Sequence, residues 1–211
     1  MTPLACSILL SSGLTSWSTA GDDTQYHIED YSGSGDIVIA FLGSNSDVDW
    51  KNNFRFWKTP YKNMETKFYV HAGFLKCWKL IEDTIGAELS KYNISSITIT
   101  GHSYGGALAI LCKEYIWYHY PELRDNTRLI TFGAPRVIGL HNWTKIKDRW
   151  NNSTLLMNGS DFITRIPFRC MFYRHVAKII HLGDEIRLWK YFDFKYHWIE
   201  NYCDSIRRIS T

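Results

Sequence analysis

Proline is scarce, five in 211 residues, and no Pro-, Gly- or Ser-rich linker, low-complexity tract or internal repeat divides the chain. A single domain over residues 1–211 is therefore expected. Long apolar runs are missing as well, since no segment reaches the ~18 residues of a membrane span. The N-terminal MTPLACSILLSSGLTSW has no basic leader and only a short apolar run, so it does not read as a signal peptide. A cytoplasmic location is expected over a secreted one. Cysteine is sparse and unpatterned: Cys6, Cys77, Cys112, Cys170 and Cys203 are odd in number and contain no C-x-x-C. That argues against a disulfide framework and gives a zinc site no spacing. Strong charge of either sign is absent too. A net charge of +3 and a pI near 8.5 do not suit a nucleic-acid binder.

What is present fits a folded protein with a sizeable core: 45% hydrophobic, 21% charged and 16% aromatic residues. The densest basic stretch, RIPFRCMFYRHVAK, interleaves Arg165, Arg169 and Arg174 with Phe168, Phe172 and Tyr173. Such mixing can serve as a stacking platform for single strands, but a loop entering a strand with one solvated face is the preferred reading. Sequons at Asn93, Asn142, Asn151, Asn152 and Asn158 are weak evidence of secretion in an Asn-rich chain.

Periodicity supplies the organisation. QYHIEDYSGSGDIVIAFLG reads as two strands joined by a turn at Gly33–Gly35, and its G-x-G leads into a strand rather than a dinucleotide-binding helix. FYVHAGFLKCWKLIEDTIGAELSKY begins as a strand and becomes a helix, with Phe74, Trp78, Ile81, Ile85 and Leu89 along one face. SITIT suits a strand, and the chain from Gly105 to Tyr120 a helix stopped by Pro121. TRLITFGAP, STLLMNG and AKIIHLG read as further strands, GLHNWTKIKDRW as a helix, and Tyr196 to Arg208 as a helical tail. Strands alternating with helices imply an α/β fold with a mostly parallel sheet flanked by helices.

GHSYG places Gly101, Ser103 and Gly105 in the pattern G-x-S-x-G, between the strand SITIT and the helix from Gly105. A nucleophile elbow needs that strand, sharp turn and helix, with glycines where Cβ atoms would crowd the turn. The helix N-terminus behind Ser103 offers N–H groups and partial positive charge to a developing oxyanion. Ser103 is expected to be a nucleophile. It needs a base, and the base a carboxylate. Asp161 follows the strand STLLMNG, where a sheet would deliver a side chain to its C-terminal edge; Asp184 is the competitor. His175, His181 and His197 all lie downstream of Asp161.

These stretches resemble the class 3 lipases, the fungal-type triacylglycerol lipase family of the α/β-hydrolase superfamily. AFLGSNSDVDWKNNF is similar to the family's F-R-G-[ST]-x-S-x-x-D-W-x-x-N block, with Leu42 in place of the Arg. VHAGFLKCW, TGHSYGGALA, TFGAPRVIG and NGSDFITRIP match further blocks in the same order. The resemblance implies an α/β-hydrolase fold and hydrolysis of carboxylic esters, acylglycerols above all, through an acyl-enzyme without metal or cofactor. It implies Asp161 as the acid and His197, in YHWIENY, as the base ahead of His175 and His181. For the oxyanion it implies the N–H groups of Tyr104 and Ser44. His71 and Asp49 are expected to brace loops. Residues 45–60 occupy the family's lid region, where aromatics mix with charges as either a gate or a packed loop would require. The partners implied are a lipid or other ester substrate and transient contact with a lipid surface, with no nucleic acid and no transmembrane segment. A soluble esterase or phospholipase with the same triad is the alternative, and an inactive binding module the rival from another class.

Overall fold

The computed structural model describes residues 1–12, 16–21, 23–43, 57–61, 66–183 and 194–210. In chain order, helix α1 (Pro3–Ser11) precedes β1 (Ser18–Ala20), β2 (Thr24–Asp30), β3 (Asp36–Phe41), β4 (Lys58–Tyr61) and β5 (Phe68–His71). Then come α2 (Ala72–Leu89), β6 (Ser96–His102), α3 (Tyr104–His119), β7 (Thr127–Phe132), β8 (Ile138–Gly139) and the short α4 (Trp143–Ile146). The chain closes with β9 (Ser153–Asn158), β10 (Tyr173–Arg174), β11 (Ile179–Leu182) and α5 (Ile199–Ser210).

The main sheet has the order β1-β2-β3-β6-β7-β9-β11. β1, β2 and β3 pair antiparallel, and every pairing from β3 to β11 is parallel. The central strands are buried on both faces, as parallel strands between helices must be; Ile37 to Phe41 are all at most 2% exposed. One face packs Ile97, Ile99 and Leu129 against α2 and α3. The other packs Ala40, Ile130, Phe132 and Leu156 against α1 and α5. This is a three-layer α/β architecture, the mostly parallel sheet flanked by helices that the alternating pattern implies.

Several elements differ from expectation. α1 reads in sequence only as an apolar run, yet it has a start signal: Thr2 accepts the Ala5 N–H at 3.2 Å and Pro3 occupies the first turn. GLHNWTKIKDRW is helical only over α4 and a 3₁₀ turn at Lys147–Trp150. The tight turn brings Arg149 and Trp150 inward together, Arg149 onto buried Glu114 at 2.5 Å and the Trp150 indole N–H onto the Ile110 carbonyl at 3.0 Å. A second, antiparallel sheet of order β10-β8-β5-β4 was not foreseen, since two of its strands are two residues long. The tail is a 3₁₀ turn at Phe194–His197 followed by α5, and that break turns His197 toward the sheet. Of the expected lid region, only 57–60 is described, mostly as part of β4.

Candidate active site

β6 ends at His102 and α3 begins at Tyr104, so Ser103 alone makes the turn. It does so with φ 56° and ψ −123°, a conformation that non-glycine residues seldom hold and that marks a constrained elbow. Its N–H donates to the Phe132 carbonyl at 2.8 Å, which ties the turn to the next strand. The glycines permit this packing. A Cβ on Gly101 would collide with the Gly105 backbone, and one on Gly105 with the carbonyls of Phe41 and Leu42. Tyr104 opens α3, and its N–H is among the first-turn donors that a helix does not satisfy itself.

Three side chains from distant parts of the chain meet here. The Ser103 hydroxyl lies 2.7 Å from His197 Nε2 and donates to it when the ring carries its proton on Nδ1. His197 Nδ1–H in turn donates to Asp161, 2.9 Å from Oδ2 and 3.0 Å from Oδ1. Asp161 is fully buried and Ser103 only 4% exposed, whereas the His197 side chain keeps 16% exposure. A buried carboxylate must be satisfied. Besides His197, it accepts the Ile163 N–H at 2.9 Å and the Tyr202 hydroxyl at 2.5 Å. Burial and the adjacent carboxylate hold the Tyr202 hydroxyl protonated, far above its ordinary range, which keeps it a donor.

Besides Tyr202, three groups that the sequence analysis does not assign to the site hold this arrangement. His102 Nε2–H donates to the His197 carbonyl at 2.5 Å, and the two rings lie 4.8 Å apart. Burial, with His197 beside it, pushes His102 down to about 3, so it stays neutral. Gly133 sits at φ +61°, where a Cβ would lie 2.7 Å from Asp161 Oδ2 and 3.0 Å from His197 Nδ1. In sequence it is a glycine at a strand end within the matched block TFGAPRVIG. Asn158 bridges the base to α5, donating to the Tyr196 carbonyl at 3.3 Å and accepting from Ser205 at 2.8 Å. With Asn158 only 5% exposed and its amide engaged, this sequon is no surface acceptor in the folded chain.

The competing residues lie elsewhere. His175 Nε2–H donates to the Thr164 carbonyl at 2.7 Å, bracing the segment after Asp161. His181 is exposed on β11, opposite Met157 of β9. His71 caps α2, accepting the Phe74 N–H at 3.4 Å. Ser44, Asp49 and Asp184 lie outside the described residues. Among the described residues no group of three or more His, Cys, Asp or Glu could hold a metal, and no helix is long and apolar enough to cross a membrane.

Residues 38–171 match the family model described as Lipase (class 3). A secreted mono- and diacylglycerol lipase of Fusarium solani is 28% identical over 148 residues, covering 67% of this chain and 42% of that protein. A chloroplastic phospholipase A(1) of Arabidopsis thaliana is 30% identical over 155 residues, covering 64% and 34%. In solved structures, the triacylglyceride lipase of Rhizomucor miehei superposes with a TM-score of 0.70 at 24% identity, covering 81% of this chain and 66% of that one. The chain thus spans less than half the length of these two curated relatives. The names correct one expectation: the Fusarium lipase is secreted, which points to secretion rather than to the cytoplasm.

Proposed function

The chain belongs to the class 3 lipase family, and on that premise we propose that it is a serine hydrolase cleaving carboxylic esters, acylglycerols foremost, within one domain spanning residues 1–211. The observation that carries this is the 2.7 Å contact from Ser103 Oγ to His197 Nε2, with Nδ1 held by Asp161. Ser103 Oγ attacks the ester carbonyl carbon as His197 Nε2 takes its proton. Asp161 fixes the tautomer and stabilises the imidazolium. The oxyanion forms at the N-terminus of α3, where the Tyr104 N–H and the helix dipole favour it. Ser44 is the second donor by family resemblance. His197 then gives its proton to the departing alcohol, and water deprotonated by the same nitrogen releases the acid from Ser103.

The test is turnover of a soluble p-nitrophenyl ester and of emulsified triglyceride. Ser103→Ala should lose at least ~10⁴-fold in kcat, the scale seen when a triad nucleophile is removed. Near-normal turnover in that variant would refute the reading. A phospholipase uses the same machinery, and the Arabidopsis relative makes phosphatidylcholine the second substrate to assay.

A further inference from the structure

Residues 162–183 contain Arg165, Arg169, Arg174 and Lys178 but no Asp or Glu. Folding brings Arg165 and Arg169 beside Arg136, which donates to the carbonyls of Arg165 and Pro167. Burial chiefly, with Arg169 and Arg165 beside it, lowers the pKa of Arg136, and burial followed by Arg169 lowers that of Arg174. Among the described residues none of them forms an ion pair. Like charges left together without counter-ions among the described residues raise the local positive potential, which a polyanionic surface would relieve.

The same surface is unusually apolar. Phe168 is 42% exposed, Phe172 64% and Leu140 42%. Their positions are tied by the backbone: the Phe172 N–H donates to the Arg169 carbonyl at 2.9 Å, and the Leu140 N–H to the Phe172 carbonyl at 3.0 Å. Lys58 reaches across from β4, 5.3 Å from the Phe172 ring centre, and donates to the Met171 carbonyl at 2.8 Å. Exposed rings among cations match an interface where apolar tips enter acyl chains and charges meet phosphates.

The patch lies at the active-site end of the sheet. Phe162, next to Asp161, packs its ring 6.1 Å from Phe168. Arg136, three residues past Gly133, donates to the carbonyls of Arg165 and Pro167. Ring contacts also run from Tyr104 through Phe74 and His71 to Tyr173. Stacking of single strands is less well served, because the net charge is only +3 and the rings stand beside aliphatic Leu140.

We propose that Lys58, Arg165 and Arg169, with Phe168, Phe172 and Leu140, form a docking surface for bilayers rich in anionic phospholipid and seat the active-site end of the sheet on them. This deepens the hydrolase reading and rests on it for its purpose, while the binding measurement is independent of turnover.

The full chain is titrated with phosphatidylcholine vesicles lacking or containing phosphatidylglycerol. Binding should require the anionic lipid and weaken with added salt. At about fivefold per cation near the surface, Arg165→Gln/Arg169→Gln should lose roughly 30-fold in partitioning. Phe172→Asn, which tolerates the left-handed backbone at φ 58°, should weaken binding too. Lys91→Gln/Arg128→Gln, the same charge change at the opposite end of the sheet, should bind as the unaltered chain does. All variants should keep kcat on a soluble ester. Equal binding to neutral vesicles, or an arginine variant that binds normally, would overturn the proposal. So would a single-stranded oligonucleotide that binds more tightly and displaces vesicles. Failure of the hydrolase reading would instead appear as an inactive parent chain on soluble ester.

Discussion

Gly133→Ala isolates the packing of the triad from its chemistry, because it changes no reacting group. The added methyl would sit 2.7 Å from Asp161 Oδ2 and 3.0 Å from both Cε1 and Nδ1 of His197. Carbon contacts settle near ~3.5 Å, so the imidazole must retreat by about 0.5 Å and the carboxylate oxygen by about 0.8 Å. A displacement of ~1 Å can cost 10²-fold in a positioned reaction. We therefore expect kcat on a soluble ester to fall about 10- to 100-fold, with KM little changed. The backbone adds its own cost, since alanine at φ +61° loses ~1–2 kcal/mol, or about 2–8 °C in Tm for a chain of this size. Gly33→Ala separates the two effects. It has φ +69° with no atom within 4 Å of the new Cβ, so it shares the strain and lacks the clash. Both variants should melt earlier, and only Gly133→Ala should lose turnover. If Gly133→Ala stays within twofold of the parent kcat while melting like Gly33→Ala, the proposed fit of triad to glycine is wrong.

His197→Ala should be about as damaging as Ser103→Ala, at least ~10⁴-fold in kcat, while His175→Ala and His181→Ala should stay within about tenfold of the parent. An inactive His181→Ala beside an active His197→Ala would reverse the assignment of the base. Acid should destabilise the fold in a defined window, because burial holds His71 and His175 down to about 4 and His102 to about 3. The unfolded chain protonates these rings near 6.5 and the folded chain only near 4 and below, so stability present above pH 6.5 is lost as pH falls toward 4. Urea unfolding between pH 7 and 4.5 should show uptake of up to about three protons; a pH-independent midpoint would contradict it.

The elbow was legible because all its parts are local: SITIT, GHSYG and the helix up to Pro121 adjoin in sequence, and each has its own period or breaker. Asp161 was readable as the residue after a strand. His197 was not separable from His175 and His181 by residue pattern, since the Phe194–His197 turn that aims it is fixed by Asn158 and His102 far away in the chain. Family resemblance made that choice. Gly133, His102 and Tyr202 act through contacts spanning tens of residues, which periodicity does not encode. The second sheet stayed hidden because Ile138–Gly139 and Tyr173–Arg174 are too short to alternate. α1 carries a helix-start signature in Thr2 and Pro3, but its apolar run has no helical period to extend it.

The central claim, that Ser103 is a nucleophile activated by His197, is tested most directly by covalent trapping. The folded chain is treated with a fluorophosphonate, and intact and peptide masses are measured. One phosphonyl adduct per chain, mapped to the peptide bearing Ser103 and lost in both Ser103→Ala and His197→Ala, is the predicted result. No adduct on the folded parent chain, or one that persists at another residue in Ser103→Ala, would contradict it.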